Sequence, residues 1–384
     1  MRRSFAFLAL SLVVLVGAVA YRLTRPRGRV VEEAAATGPG VDGDAVRANM
    51  TLKPRDPTMP GPAPQAREGR LALDNAACEA CHEREAAQWR GSQHQTAYTE
   101  LEFQRALARE PLPFCRSCHA PEADPGRPAS GWQAEIGVGC VTCHVVGDAV
   151  LAAEGPEVEA PHPVRRDARF GGPAACANCH EFGFPDNARR ERPEAMQRTL
   201  VEHAASPLRA TTCSECHMRD RTGARTHAFP GSRDPDFVRE ALAIAATRPA
   251  ADVVEVSVAA RPDRVGHAVP TGDLFRRLAI AVRPVGPGAP RGWWTDYFAR
   301  HYQIAAGKGA SLRVELHDDR PHAGGPAQRL RFRLAPEDAG RPVAWEVRYE
   351  RVESFLDERR EHGVVVGGMT LASGELPALR ENVY

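Results

Sequence analysis

The 384-residue chain has no cysteine outside one short pattern, and almost all of its basic residues are arginine, because only Lys53 and Lys308 are lysine. A formal net charge of +1 gives no basic field, which argues against nucleic acid as a partner. No phosphate-binding loop, nicotinamide fingerprint or nucleophile triad stands out. These absences remove many classes of enzyme and leave the cysteine pattern as the main source of information.

That pattern, Cys-x-x-Cys-His, occurs five times and uses all 10 cysteines. Positions i, i+3 and i+4 share one face of a helical turn, so two thiols and one imidazole project together. This is the attachment pattern of c-type haem, in which the thiols bond the porphyrin and the imidazole binds the iron. In chain order, motifs 1 to 5 are Cys78–Cys81–His82, Cys115–Cys118–His119, Cys140–Cys143–His144, Cys176–Cys179–His180 and Cys213–Cys216–His217.

Two other uses of paired cysteines fit less well. Zinc sites are usually built from two such pairs, and the chain has an odd number of pairs. An even cysteine count would allow a disulfide framework, but neither zinc nor disulfides need a histidine directly after every pair. The sequence therefore predicts five covalently bound c-type haems, with the ten cysteines as attachment sites and the five motif histidines as iron ligands.

The first 30 residues predict export. Arg2 and Arg3 precede Phe5–Tyr21, a 17-residue stretch without a charge. Ala18-Val19-Ala20 fits a cleavage site, whereas the arginines that begin at Arg22 fit an uncleaved anchor. Either outcome carries the rest of the chain out of the cytoplasm, so we expect a periplasmic or extracytoplasmic protein that is either free or held at the inner membrane.

Composition divides the chain into four regions. Residues 1–30 are the signal sequence or membrane anchor, and residues 31–70 are a Pro- and Gly-rich linker that is either a flexible tether or an arm across the next region. Residues 71–247 carry all five motifs and too few periodic apolar runs for an ordinary core, so we expect the haems to form it. Residues 248–384 contain no cysteine and have the alternating short runs of a β-sandwich.

The expected fold is therefore mostly short helices and loops around five haems, followed by an antiparallel β-sandwich-like domain. Proline and apolar spacing predict helices at Glu83–Arg109, Pro193–Ala205 and Pro235–Thr247. Six runs predict strands of the sandwich: Val253–Val258, Leu278–Val282, Leu312–Leu316, Leu330–Leu334, Trp345–Tyr349 and Val364–Leu371.

The remaining histidines bear on function, because an iron that only carries electrons takes a sixth ligand and an iron that does chemistry keeps that position open. Five of them lie in or beside the motif region and are the predicted distal ligands: His94, His162, His203, His227 and His267. Met196 and Met218 are alternative ligands. The four histidines inside the sandwich region are not expected to bind haem iron: His301, His317, His322 and His362.

The chain resembles the multihaem c-type cytochromes, and more narrowly the tetrahaem electron-transfer cytochromes of nitrifying bacteria. The resemblance covers about residues 75–235 and rests on motif 1 with Trp89, Ser92 and His94, on Gly139 with motif 3, and on motif 5 through Met218 with the phrase His227–Gly231. It implies that the histidine after motif 1 binds a later haem and that neighbouring haems stack in pairs. The fifth motif and the β-rich C-terminal region are departures from that family.

Three functions follow as hypotheses. The first is an electron carrier rather than a catalyst, which relays electrons between respiratory or periplasmic redox proteins through five bis-histidine haems. The second is an oxidoreductase with one open haem that acts on a small nitrogen or sulfur compound. The Cys-x-x-Cys-Lys motif of pentahaem nitrite-reducing enzymes is absent from the sequence. The third is a docking subunit that uses the aromatic cluster at 293–298, whose simpler interpretation is sandwich core.

Overall fold

In a computed structural model, structure is described for residues 56–63, 74–109, 111–157, 159–184, 194–305, 312–352 and 363–379. The uncharged stretch Phe5–Tyr21, most of the predicted linker and His362 lie outside these residues. Across the described ranges, no helix has both the length and the apolar character needed to span a membrane.

The motif region consists of short helices joined by loops, as predicted. The described helices are α1 Asn75–Cys81, α2 Glu83–Trp89, α3 Leu101–Arg109, α4 Pro113–His119, α5 Trp132–Ile136, α6 Cys140–His144, α7 Pro173–His180, α8 Thr199–Ala204, α9 Cys213–His217 and α10 Pro235–Glu240. Five short strands accompany them: β1 Val145–Val146, β2 Ala149–Ala152, β3 Val164–Arg166, β4 Glu181–Gly183 and β5 Ala195–Arg198. Each cysteine pair lies on its own short helix, namely α1, α4, α6, α7 or α9.

Few apolar side chains pack together in the motif region. Its described apolar cluster has four buried members, which are Tyr98, Leu107, Ala120 and Ala123. The cluster of the C-terminal region is much larger and draws on two sheets. This contrast agrees with the expectation that haems supply the core around the motifs.

The three helices predicted from the sequence are each shorter than expected. The first is interrupted, because α2 ends at Trp89 and Gly91 takes a φ of +80° before turns lead to α3. In the second, residues 195–198 form β5, which pairs with β4 directly after motif 4. The third ends at Glu240, since Leu242 begins a strand of the sandwich.

The C-terminal region is an antiparallel sandwich, as predicted, and all six predicted strands are present. The strands are β6 Leu242–Ala250, β7 Val253–Ala260, β8 Arg276–Pro284, β9 Trp294–Phe298, β10 Arg300–Ala305, β11 Leu312–Asp318, β12 Gln328–Arg333, β13 Val343–Val352 and β14 Val365–Leu376. One sheet has the order β12-β7-β6 and the other β14-β13-β8-β9, while β10 and β11 form a separate hairpin.

Alternation along the central strands builds the sandwich core. Val254, Val256 and Val258 of β7 are 0% exposed, and Leu278 and Ile280 of β8 are equally buried in the same cluster. The aromatic segment at 293–298 contributes Tyr297 and Phe298 to the interior, whereas Trp293 stays 39% exposed. The core interpretation of this segment is therefore correct for these two residues, and Trp294 also packs against the sandwich core.

Replacing Ile280, which is fully buried, with Ala should lower the free energy of unfolding of the sandwich by about 2–5 kcal/mol, because a cavity replaces packed atoms. The matched control is Leu316→Ala on β11, whose side chain is 54% exposed and should cost less than about 0.5 kcal/mol. Urea denaturation followed by far-ultraviolet circular dichroism measures both. Equal effects of the two changes would contradict this assignment of the core.

Candidate haem-binding sites

None of the ten motif cysteines forms a disulfide, and backbone carbonyls orient three of the motif imidazoles. Nδ1 of His119 lies 2.7 Å from the Ala97 carbonyl oxygen, and Nδ1 of His217 lies 2.8 Å from the Pro230 carbonyl oxygen. His144 makes the same contact with Leu151 at 2.9 Å. An Nδ1–H that donates to a carbonyl leaves the lone pair on Nε2, which is the nitrogen that an axial ligand offers to iron.

Three motif imidazoles face a predicted distal imidazole across a gap of nearly constant width. The ring centroids are 6.2 Å apart for His180 and His94, 6.4 Å for His144 and His227, and 6.2 Å for His217 and His267. Two imidazoles that bind one metal ion from opposite sides, with bonds of about 2 Å, have centroids about 6.3 Å apart. The three gaps therefore fit an iron between each pair.

The buried imidazoles are neutral at physiological pH, as metal ligation requires. Burial lowers the pKa of His94 to about 4, with a smaller contribution from the nearby His217. Burial likewise lowers the pKa of His180 to about 3 and that of His267 to about 4. Each ring therefore keeps a lone pair free for a metal ion.

A turn after motif 1 places His94 beside motif 4. Trp89 is buried, and its indole N–H donates to the Val138 carbonyl at 3.0 Å. The Val138 N–H donates to the His94 carbonyl at 2.9 Å, so two hydrogen bonds join Val138 to the segment that carries Trp89 and His94. The resemblance implied that this histidine binds a later haem, and its position opposite His180 agrees with that expectation.

The segment His227–Gly231 contacts motif 5 and places the His227 ring opposite the imidazole of motif 3. The His227 N–H donates to Oε1 of Gln88 at 3.0 Å, while the Pro230 carbonyl faces the motif imidazole His217. Phe229 lies between two of the imidazole pairs, with its ring centroid 4.4 Å from that of His94 and 6.0 Å from that of His227. The two pairs are therefore close neighbours.

Glu202 fixes the loop that carries His267. Its carboxylate, on α8, accepts the Ala268 N–H at 3.2 Å and the Thr271 hydroxyl at 2.7 Å. Arg320 pairs with the same carboxylate at 2.5 Å and donates to the Pro270 carbonyl at 2.6 Å. Nearby arginines hold the pKa of Glu202 at about 2 against the opposing effect of burial. This clamp joins a helix of the motif region to the sandwich and positions the distal imidazole of motif 5.

Buried polar contacts bring the motifs together. The Asn75 carboxamide, 2% exposed in α1, accepts the Cys140 N–H at 2.6 Å and so ties motif 1 to motif 3. Gly139 approaches Asn75 so closely that a Cβ at this position would clash with its carboxamide. Cys176 and Cys213 lie within hydrogen-bonding reach of each other, which brings motifs 4 and 5 together.

Residues 56–63, from the predicted linker, lie as an arm across the motif region. Asn178, inside motif 4, donates to the carbonyls of Asp56 at 2.9 Å and Pro60 at 2.8 Å. The Ala63 N–H donates to the carbonyl of Ser117, inside motif 2, at 2.8 Å. This part of the linker therefore connects motifs 2 and 4, and the arm interpretation holds for it.

The imidazoles of motifs 1 and 2 are not paired in this way among the described residues. His82 is exposed, and His119 stacks on Phe103 with centroids 3.8 Å apart. Of the two other predicted distal ligands, His162 has a buried Nδ1 without a hydrogen bond in the described part of the chain. Nε2 of His203 donates to the Thr211 carbonyl at 2.9 Å, which leaves Nδ1 as its free nitrogen. Their assignment to motifs 1 and 2 stays a prediction.

Several residues that position the motifs and the distal histidines could not be identified from the sequence. Glu202 and Arg320 are 118 positions apart, and each looks like an ordinary surface residue in its own segment. Asn75 lies three positions before Cys78 of motif 1 but belongs to no motif itself. The alternative ligand Met196 lies on strand β5 rather than on the helix predicted for it, and Met218 follows the last residue of α9.

Replacing His94 with Ala should remove the sixth ligand opposite His180 and convert one haem to a high-spin state. The matched control is His322→Ala, because His322 pairs with Asp318 in the sandwich region and faces no motif imidazole among the described residues. Visible and near-infrared absorption of the oxidised protein measures the change. An unchanged spectrum in the His94→Ala protein would show that this imidazole is not a ligand.

Replacing Glu202 with Gln keeps the shape of the side chain but removes the charge that Arg320 and the His267 loop share. We expect a changed midpoint potential or spin state for one haem, with the others unaltered. Glu255→Gln is the control, since Glu255 pairs with Arg331 at the surface of β7. Spectroelectrochemical titration resolves the potentials, and a folded Glu202→Gln protein with wild-type potentials would refute the positioning role.

The motif region has recognisable relatives. Residues 77–145, which span motifs 1 to 3, match the family of cytochrome c554 and c-prime. No curated protein matches the chain.

The fold is similar to that of a solved structure, a penta-heme cytochrome c552 from Thermochromatium tepidum, with a TM-score of 0.58 and 19% identity. The match covers 79% of this chain and 98% of the other, so the two share a fold. With the five cysteine pairs and the three imidazole gaps, these findings support a multihaem c-type cytochrome whose C-terminal region is an antiparallel β structure.

Proposed function

We propose that the chain is an exported electron carrier that binds five c-type haems and passes electrons between redox protein partners. The three imidazole gaps of 6.2–6.4 Å carry the proposal, because paired imidazoles close both axial positions of an iron and favour electron transfer over substrate binding. The family and fold matches support a multihaem electron-transfer or oxidoreductase role.

The three imidazole pairs lie next to one another, as a relay requires. Phe229 contacts the rings of His94 and His227, which belong to two of the pairs. His217, from the third pair, is near enough to lower the pKa of His94 slightly further. When bound, c-type haems supply one-electron redox centres at these positions. The chain supplies their spacing, their axial imidazoles and a buried environment.

The count of five rests on the five motifs. The solved relative is described as penta-heme, which agrees with that count. Motifs 1 and 2 would bind the two haems whose distal ligands the structure does not pair, with His162 and His203 as the candidates.

Export rests on the sequence. The uncharged stretch Phe5–Tyr21 behind two arginines supports a periplasmic or extracytoplasmic location, either free or held at the inner membrane. A near-neutral charge and a multihaem site support redox proteins, and not nucleic acid, as the partners.

Haem content tests the count directly. Denaturing mass spectrometry of the exported protein should give the mass of the chain plus five haems, because thioether bonds survive denaturation. Replacing Cys213 and Cys216 together with Ala should leave four haems, and the control Ser214→Ala, inside the same motif, should keep five. A wild-type protein with fewer than five haems would contradict the proposal.

A second candidate function is an oxidoreductase with an open haem, and the environment of His119 favours it. No imidazole faces this ring at the axial gap among the described residues. Two charged side chains near the start of β8, Asp273 and Arg276, lie close enough to affect the pKa of His119, which burial lowers. They are paired with each other at 3.0 Å. Such a charged pair beside an open iron could position a small polar substrate.

Exogenous ligands separate the two functions. If every iron has two protein ligands, cyanide and carbon monoxide should leave the spectra of the oxidised and reduced protein unchanged. If the iron of motif 2 is open, one haem should bind them, and replacing Cys115 and Cys118 together with Ala should abolish that binding. Turnover of nitrite or hydroxylamine with a redox dye would then support the oxidoreductase function.

A further inference from the structure

Two histidines and an aspartate form a cluster on the hairpin β10–β11, apart from the predicted haem ligands. His301 and His317 are directly opposite each other in the pairing of the two strands. Their rings stack with centroids 3.9 Å apart and planes 15° apart. Nε2 of each ring faces the carboxylate of Asp319, the residue that follows β11.

The donor atoms of the cluster are spaced closely enough for one metal ion. Nε2 of His301 lies 2.6 Å from Oδ1 of Asp319, and Nε2 of His317 lies 3.8 Å from Oδ2. One donor atom from each of the three residues lies within 4.8 Å of the other two. Ligands around a tetrahedral zinc ion, with bonds of 2.0–2.1 Å, are about 3.3 Å apart. Side-chain movements of about an ångström would therefore bring the three donor atoms to the spacing that binds one ion.

The carboxylate and one imidazole are held in place by the fold. The Ala299 N–H donates to Oδ1 of Asp319 at 2.7 Å, and the Asp319 N–H donates to the Ala299 carbonyl at 3.2 Å. His301 is 1% exposed, whereas His317 is 48% exposed in its side chain. The cluster thus has a buried, ordered side and an opening to solvent through which an ion can enter.

Charge balance also favours a cation at this place. An adjacent buried network pairs three arginines with three carboxylates: Arg198, Arg300 and Arg320 with Glu202, Glu315 and Asp318. Asp319 adds a fourth carboxylate, and its ion-pair partners in the described part of the chain are the two histidines. The network and Asp319 together contain four carboxylates and three guanidinium groups, which leaves one negative charge that a cation can balance.

We propose that His301, His317 and Asp319 bind one zinc ion, with a water molecule in the fourth position. Two imidazoles and one carboxylate are a ligand set that suits zinc, and three protein ligands leave one position of the tetrahedron open. The ion joins β10, β11 and the residue after β11. It thereby stabilises a hairpin whose Arg300 donates to the Met196 carbonyl at 2.7 Å and so contacts the motif region.

Metal content of the holoprotein tests the site. After chelator treatment, the protein is dialysed against Zn²⁺, and zinc and iron per chain are measured by mass spectrometry of the elements. The wild-type protein should bind one zinc per chain, and His317→Ala should weaken binding by roughly 100-fold or more. His317 is the ligand to replace because its partial exposure makes a folding defect least expected.

His322→Ala is the matched control, since this imidazole faces Asp318 at 3.2 Å and not the cluster. It should bind zinc like the wild type, and X-ray absorption at the zinc edge should show nitrogen and oxygen neighbours without sulfur. Visible spectra of all three proteins report whether the haem sites are intact. A wild-type protein without zinc, or a His317→Ala protein that binds it equally well, would show that the cluster is only a hydrogen-bonded His–Asp–His group and overturn the proposal.

Discussion

The separation between facing imidazoles is the constraint on which the rest of this structure depends. An iron with two axial histidines fixes the centroids of their rings about 6.3 Å apart, and three pairs in this chain meet that requirement. In each pair, the two histidines come from parts of the chain that are far apart in the sequence. His94 follows motif 1 but faces motif 4, and His227 follows motif 5 but faces motif 3. An iron bound by each pair would therefore tie distant parts of the chain together where a conventional apolar core is small.

This constraint also gives the sandwich a role. His267 belongs to the loop between strands β7 and β8 of the sandwich, and it faces the imidazole of motif 5. The loop is held by Glu202 from the motif region and by Arg320 from the sandwich. A buried ion pair of this kind adds little stability by itself, because desolvation offsets the attraction. Its contribution is geometric, since it sets where the imidazole lies. The sandwich thus places an imidazole opposite that of motif 5, in addition to forming its own core.

The sequence predicted the parts of the molecule that obey short-range rules. Five motifs on short helices, six strands of the sandwich and the three distal histidines that face motif imidazoles all follow from spacing, alternation and residue type. The failures have one physical cause, which is that tertiary contacts decided the local structure. Residues 195–198 form a strand because β4 is available to pair with them, and Leu242 begins a strand because the sandwich core accepts its side chain. Which distal histidine faces which motif could not be predicted, because the answer depends on contacts such as that between Asn75 and Cys140 across 65 positions.

Electron paramagnetic resonance of the oxidised holoprotein shows whether the facing imidazoles share irons, because it counts irons by spin state and ligation. We expect at least three low-spin, bis-histidine irons. The ring planes of His94 and His180 are 68° apart, so that iron should give a strongly anisotropic signal, whereas the planes of His217 and His267 are 13° apart and should give a rhombic one. Fewer than three low-spin irons would mean that at least one of the three pairs of facing imidazoles does not share an iron.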